Sequence, residues 1–345
     1  MLFIFNILAS PYSLYASEEW KTHPLLQYSQ PAWTPFLNFK DIEKRLQEED
    51  IILLIPMRDY LNIQGKKADF ENQVYLAILQ SGLKAVFKPD KEAHDMFAEV
   101  AAYKASQWMQ NRLVPPTVLK EFKKQKGSLQ FFVETPLDTT TIEAHQDMLN
   151  SLKESIRQEM DVFCFLFGQW DRSPSNILFV PYNSSYLVAL IDNSGILQQQ
   201  HVVLGHSPFV RKAYCENRAD VWDNRFPFEK AQKISLHDLN KNPDFKSCGL
   251  TSQKFSFLKE SNKPLTYVFW RNSLWFQPYN ETPILLKNLS PSLIEKIKKL
   301  DEKTLKKIWK AFPKEWTPRQ HDEIIRLTLD RKDQLLRLFN KESIL

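Results

Sequence analysis

The chain has 345 residues, a formal net charge of +5, 43% hydrophobic and 25% charged residues, the proportions of a globular protein with room for one large or two small cores. These values exclude wholesale disorder, and neither a repeat nor a low-complexity tract occurs. Its basic clusters, "EFKKQKG" (121–127) and "EKIKKLDEKTLKKIWK" (295–310), carry interleaved acids, so they read as solvated faces and give no support for nucleic-acid binding.

In chain order, "MLFIFNILASPYSLYASEEW" is apolar, ends in small residues before acids, lacks a basic start and is broken by Pro11. It leaves two readings open: a signal peptide over 1–17, giving a secreted or periplasmic protein, or a buried N-terminal arm of a cytoplasmic one. No other stretch reaches the roughly 18–20 apolar residues of a membrane span. After this N-terminal segment (1–40), "FKDIEKRLQEED" (39–50) has helical spacing and "IILLIPMRDY" (51–60) reads as a strand. Two strand-like runs in 72–90 are joined by Ser81-Gly82, a hairpin dipeptide. An amphipathic helix follows over 92–113 and is stopped by "VPPTVL".

A short strand, "GSLQFFVE" (127–134), precedes the connector "TPLD" (135–138). The composition then changes. Residues 141–170 read as helix, "NILFV" and "YLVALID" as strands flanking the turn "PYNSS", and the last fifty or so as amphipathic helices. A strand-rich segment before a helix-rich one predicts an α+β protein of two lobes, 41–136 and 137–345.

Three cysteines show no CxxC spacing. Cys164, within "DVFCFLF", is a candidate core residue. A Cys215–Cys248 disulfide is compatible with export and is not demanded by the sequence.

Phosphoryl transfer from ATP needs a lysine on the phosphates, an acid to hold it, a second acid for the metal and a third for the nucleophile's proton. Lys88 ends the strand "LKAVFKP", and Lys84 shares its strand face as a second candidate. Glu99 lies on the next helix, within reach of such a lysine. Asp171 and Asn176 in "FLFGQWDRSPSNILFV" have the spacing of the Asp and Asn of a HRDxxxxN catalytic loop, and Arg172 could pair with a carboxylate or phosphate. Asp192 ends the apolar strand of "YLVALIDNSG", where a carboxylate is costly unless a cation meets it. A turn-capping role is the plainer reading of "DNSG", and a turn or packing role that of His206. No GxSxG, HExxH or GxGxxG motif occurs, and the seven histidines have no metal-ligand spacing.

The segments "GLKAVFKP", "AEVAAYKAS", "RLVPPTV", "GSLQFFVE", "FLFGQWDRSPSNILF" and "LVALIDNSG", in this order over roughly residues 50–200, resemble the atypical kinases of the phosphatidylinositol 3/4-kinase-like group and the related HipA and secretory-pathway (Golgi) kinases. The resemblance implies a bilobal protein-kinase-like fold with a strand-rich N-lobe and a helical C-lobe. It implies ATP and Mg²⁺ or Mn²⁺ as cofactors, with Lys88 on the nucleotide phosphates, Glu99 orienting it, Asp171 as catalytic acid/base, and Asn176 and Asp192 on the metal. Phe131, Phe132, Val133 and Glu134 would border the adenine pocket and offer backbone hydrogen bonds. The acceptor would be a protein or inositol-lipid hydroxyl. Departures are a single glycine, Gly65, between the first strands, "WDR" for HRD and "DNS" for DFG. Two other functions fit the same fold: a nucleotide-binding pseudokinase serving as a scaffold, and adenylylation.

Overall fold

The computed structural model describes residues 18–66, 73–90, 95–137, 147–149, 151–167, 169, 176–196, 290–309 and positions between 318 and 336. The chain forms two compact units, Met1–Asp90 with Pro116–Glu134, and Lys91–Pro115 with Thr135–Leu345. This is the α+β class expected from the sequence, strand-rich first and helix-rich second.

The first unit holds a five-stranded antiparallel sheet of order β1-β2-β3-β5-β4, built from β1 (Ile51–Pro56), β2 (Tyr75–Leu79), β3 (Lys84–Pro89), β4 (Thr117–Phe122) and β5 (Gln125–Phe131). Helix α1 (Phe39–Glu48) buries Ile42 and Leu46, one turn apart, against β4 and β5. Ser81-Gly82 makes the predicted β2–β3 turn, where Gly82 has φ +82° and a Cβ would press on the Tyr28 ring at 2.9 Å.

Two boundaries and one whole strand differ from the sequence reading. The first strand stops at Pro56, because Met57 and Tyr60, at helical spacing, turn inward as α2 (Met57–Ile63) onto Ile55, Leu76 and Ile78. The helix expected over 92–113 is α3 (Asp95–Met109). It ends before the prolines because Gln110 and Arg112 take positive φ (59° and 54°) and the Ser106 hydroxyl accepts from the Leu113 and Val114 N–H groups at 3.0 and 3.2 Å. Strand β4 was not foreseen at all. It pairs with β5 through Lys123 and Lys124, both at positive φ (49° and 69°), a mirror-image hairpin turn in which Asn or Gly is usual. The lysines are exposed, so this basic cluster is a solvated hairpin tip.

Gly127 is demanded by close approach: an added Cβ would lie 2.3 Å from the Lys88 carbonyl oxygen. Gly127→Ala is expected to push β5 off β3 and cost about 1–3 kcal/mol, read as a lower denaturation midpoint. A loss below about 0.5 kcal/mol would contradict this strand spacing.

The second unit packs α3 and α4 (Glu154–Phe167) with Trp309, which follows α6 (Glu302–Ile308). The Phe167 ring meets Trp108 and Trp309 edge-on, both at 6.4 Å, and Cys164, three residues earlier on the same helix, is buried as a small core residue. Helix α5 (Pro291–Lys298) is capped by Ser290, whose hydroxyl accepts from Leu293 N–H. The two strands expected around "PYNSS" form the hairpin β6 (Ile177–Tyr182) and β7 (Ser185–Leu190), turning at Asn183, φ +53°. Among the described residues no helix is long and apolar enough to cross a membrane. Residues 1–17, Cys215 and Cys248 lie outside the described residues.

Candidate functional site

Strand β3 carries both candidate lysines on one face, and their surroundings differ. Lys84 is 6% exposed, and its Nζ pairs with Glu134 Oε1 at 2.6 Å. Neither residue's part in this ion pair was anticipated, since the partners stand fifty positions apart. Lys88 is half-buried near the strand end, opposite Ser128 of β5. The Tyr60 hydroxyl sits close enough to feel the pair: burial raises its pKa, the Glu134 carboxylate raises it further, and the Lys84 ammonium opposes both.

The four residues expected to border the adenine pocket divide by their main chain. Phe131 stacks on Trp33, ring centroids 6.3 Å apart, and donates its N–H to Pro116 O at 2.8 Å. Phe132 stands edge-on to Tyr60 at 5.9 Å and donates its N–H to Lys84 O at 3.2 Å. Val133 is buried and Glu134 exposed; neither makes a main-chain hydrogen bond among the described residues.

In the second unit, four elements bring polar groups to the end of β7. Glu99 of α3 is 2% exposed, an expensive position for a carboxylate without donors. The Asn193 amide, itself fully buried, donates to Glu99 Oε2 at 3.5 Å and to Leu190 O at 3.2 Å. Asn176 opens β6 and is 7% exposed; its carbonyl accepts the Ile191 N–H at 3.0 Å, which sets it across from the residue preceding Asp192.

Asp192 takes φ +52°, the left-handed region that costs non-glycine residues about 1–3 kcal/mol. Aspartate tolerates it better than most. The conformation is held by the buried Gln169, whose Nε2 donates to Asp192 O at 2.9 Å. Gln169 is itself fixed to the end of α4 by its N–H on Cys164 O at 2.8 Å. Sequence reasoning overlooked Gln169 and Asn193; the available signal was two amides flanking the predicted catalytic loop and metal turn.

The structure thus assembles Glu99, Asn176 and Asp192 in one neighbourhood of the second unit, and Lys84 with Glu134 in the first. Lys88 belongs to the first unit and Glu99 to the second. Asp171, Arg172 and His206 lie outside the described residues. Among the described residues no three His, Cys, Asp or Glu side chains cluster. Asn176 and Asp192, joined through the main-chain bond from Ile191 N–H to Asn176 O, carry oxygen donors of the kind that hard Mg²⁺ or Mn²⁺ takes.

No protein-family model matches the chain, and no curated protein matches it. Solved structures resemble it at low identity. A Helicobacter pylori proinflammatory kinase, CtkA, is 12% identical over 79% of this chain and 94% of its own, with a TM-score of 0.40. The Golgi casein kinase is 9% identical over 89% of this chain and 77% of its own, with a TM-score of 0.43. The same kinase with Mn/ADP bound gives 9% identity, 88% and 76% coverage and a TM-score of 0.43.

Proposed function

We propose that the chain is an ATP- and divalent-metal-dependent phosphotransferase of the atypical kinase class, moving the γ-phosphate to a protein or inositol-lipid hydroxyl. The observation that carries this reading is Asp192, held at positive φ at the mouth of β7 by Gln169, beside Asn176 and the buried Glu99. Strain retained next to buried polar groups is characteristic of sites where geometry matters more than stability.

In this reading Lys88 holds the nucleotide phosphates and Glu99 orients it. Asn176 and Asp192 would hold Mg²⁺ or Mn²⁺, which when bound neutralises charge on the phosphate oxygens. Asp171 accepts the proton of the acceptor hydroxyl as its oxygen bonds to the γ-phosphorus. The bond from that phosphorus to the β,γ-bridging oxygen breaks, and ADP leaves with the electron pair. Val133 and Glu134 offer main-chain groups to the base. The proposed lobes are 41–136 and 137–345, from which the compact units differ in grouping Lys91–Pro115 with the later residues.

The test is transfer of labelled γ-phosphate by full-length protein to a mixed panel of proteins and inositol lipids, with Mg²⁺ or Mn²⁺ and with Asp171→Ala as control. Label should enter one acceptor class, and Asp171→Ala should lower the rate by about 10²-fold or more. Wild type that binds ATP but transfers no faster than the variant would point to a pseudokinase scaffold. An AMP rather than a phosphate mass on the product would indicate adenylylation.

A further inference from the structure

The regular register between β3 and β5 ends at Ala85 and Phe131. One step further the Phe132 N–H still reaches Lys84 O at 3.2 Å, and the return link, from Lys84 N–H to Phe132 O, runs through a single side chain. Gln30, 9% exposed, accepts the Lys84 N–H on Oε1 at 2.8 Å. Its Nε2 donates to Lys84 O at 2.9 Å and to Phe132 O at 2.8 Å. A primary amide has the same acceptor and donor as a peptide group, so Gln30 supplies the one link of this pair that the two strands do not make directly.

The rest of its segment grips the same end of the sheet. Tyr28 lies on Gly82 of the β2–β3 turn and Trp33 stacks on Phe131. Beyond Phe132 come Val133 and Glu134, the residues with main-chain groups open among the described residues, and the Lys84 ammonium holds the Glu134 side chain. The path of Val133–Glu134 is therefore set at its start by Gln30 and at its end by Lys84.

We infer that Gln30 is a positioning residue of the nucleotide site, fixing the segment whose main chain meets the base. The inference rests on the nucleotide-binding reading above. It makes a distinction that a general stabilising role does not: the base end of the ligand should feel Gln30, and the phosphate end should not.

Calorimetric titration of full-length wild type, Gln30→Ala and Gln30→Glu with Mg-ATP and with Mg-tripolyphosphate, which lacks a base, tests this. Gln30→Ala should weaken ATP about tenfold, the scale of one misplaced hydrogen bond to the base. Gln30→Glu should weaken it at least as much, because a carboxylate oxygen would then face two carbonyl oxygens. Tripolyphosphate affinity should stay within about twofold in both, because it makes no contact with the base-facing segment. A smaller folded fraction lowers the number of binding sites and not the dissociation constant, so partial misfolding does not imitate the result. Unchanged ATP affinity, parallel weakening of both ligands, or failure of both variants to fold would overturn the positioning role. Wild type that binds no ATP would overturn the nucleotide reading itself, a result distinct from a loss confined to the variants.

Discussion

Asp192→Asn is expected to lower phosphotransfer turnover by about 10²–10³-fold, the scale of losing one preorganised electrostatic contact, with no change in melting temperature. The two halves of that expectation have separate causes. Asparagine accepts the left-handed backbone as readily as aspartate, so the φ of +52° and the Gln169 hydrogen bond to the main chain survive. The charge that would meet the metal does not. Asp192→Ala should show the same loss of turnover together with a lower melting temperature, since alanine pays more for that conformation. Turnover by Asp192→Asn within about threefold of wild type would remove Asp192 from the metal site, whatever its backbone does.

Removing Glu134 should cost about 2–3 kcal/mol in urea denaturation, whereas Lys84→Met should change stability by less than about 1 kcal/mol. The asymmetry follows from burial. The Lys84 side chain is 8% exposed and that of Glu134 45%, so Glu134→Ala leaves an ammonium in the sheet without its carboxylate, at the lower end of the usual penalty because the site is open on one side. Lys84→Met removes the charge together with its desolvation cost and keeps the length of the side chain. If Glu134→Ala costs less than about 0.5 kcal/mol, the pair behaves like an exposed one, and the fixed path inferred for Val133–Glu134 loses its second anchor.

The local features of the fold were readable because their causes are local. Ser81-Gly82 announced a hairpin since only glycine takes φ +82° without strain. Ile42 and Leu46 announced the buried stripe of α1 by their spacing. The strands of the β6–β7 hairpin were visible as two apolar runs flanking "PYNSS". By the same logic β4 was hidden: its turn uses Lys123 and Lys124 at positive φ, a conformation that lysine does not advertise and that the pairing of Thr117–Phe122 with β5 imposes.

Site residues follow the same division. Asp192 stood out because an apolar strand ended on a carboxylate, and Asn176 and Glu99 because their spacings suit phosphoryl transfer. What holds them was not visible, because each hold is a side-chain hydrogen bond between residues far apart in the chain: Asn193 to Glu99, Gln169 to Asp192, Lys84 to Glu134, and Gln30 to both Lys84 and Phe132. Turn chemistry and hydrophobic period act over a few residues and leave a mark in the string of letters. A buried amide's choice of partner has no such period; it is made only when folding removes water and leaves one set of acceptors within reach.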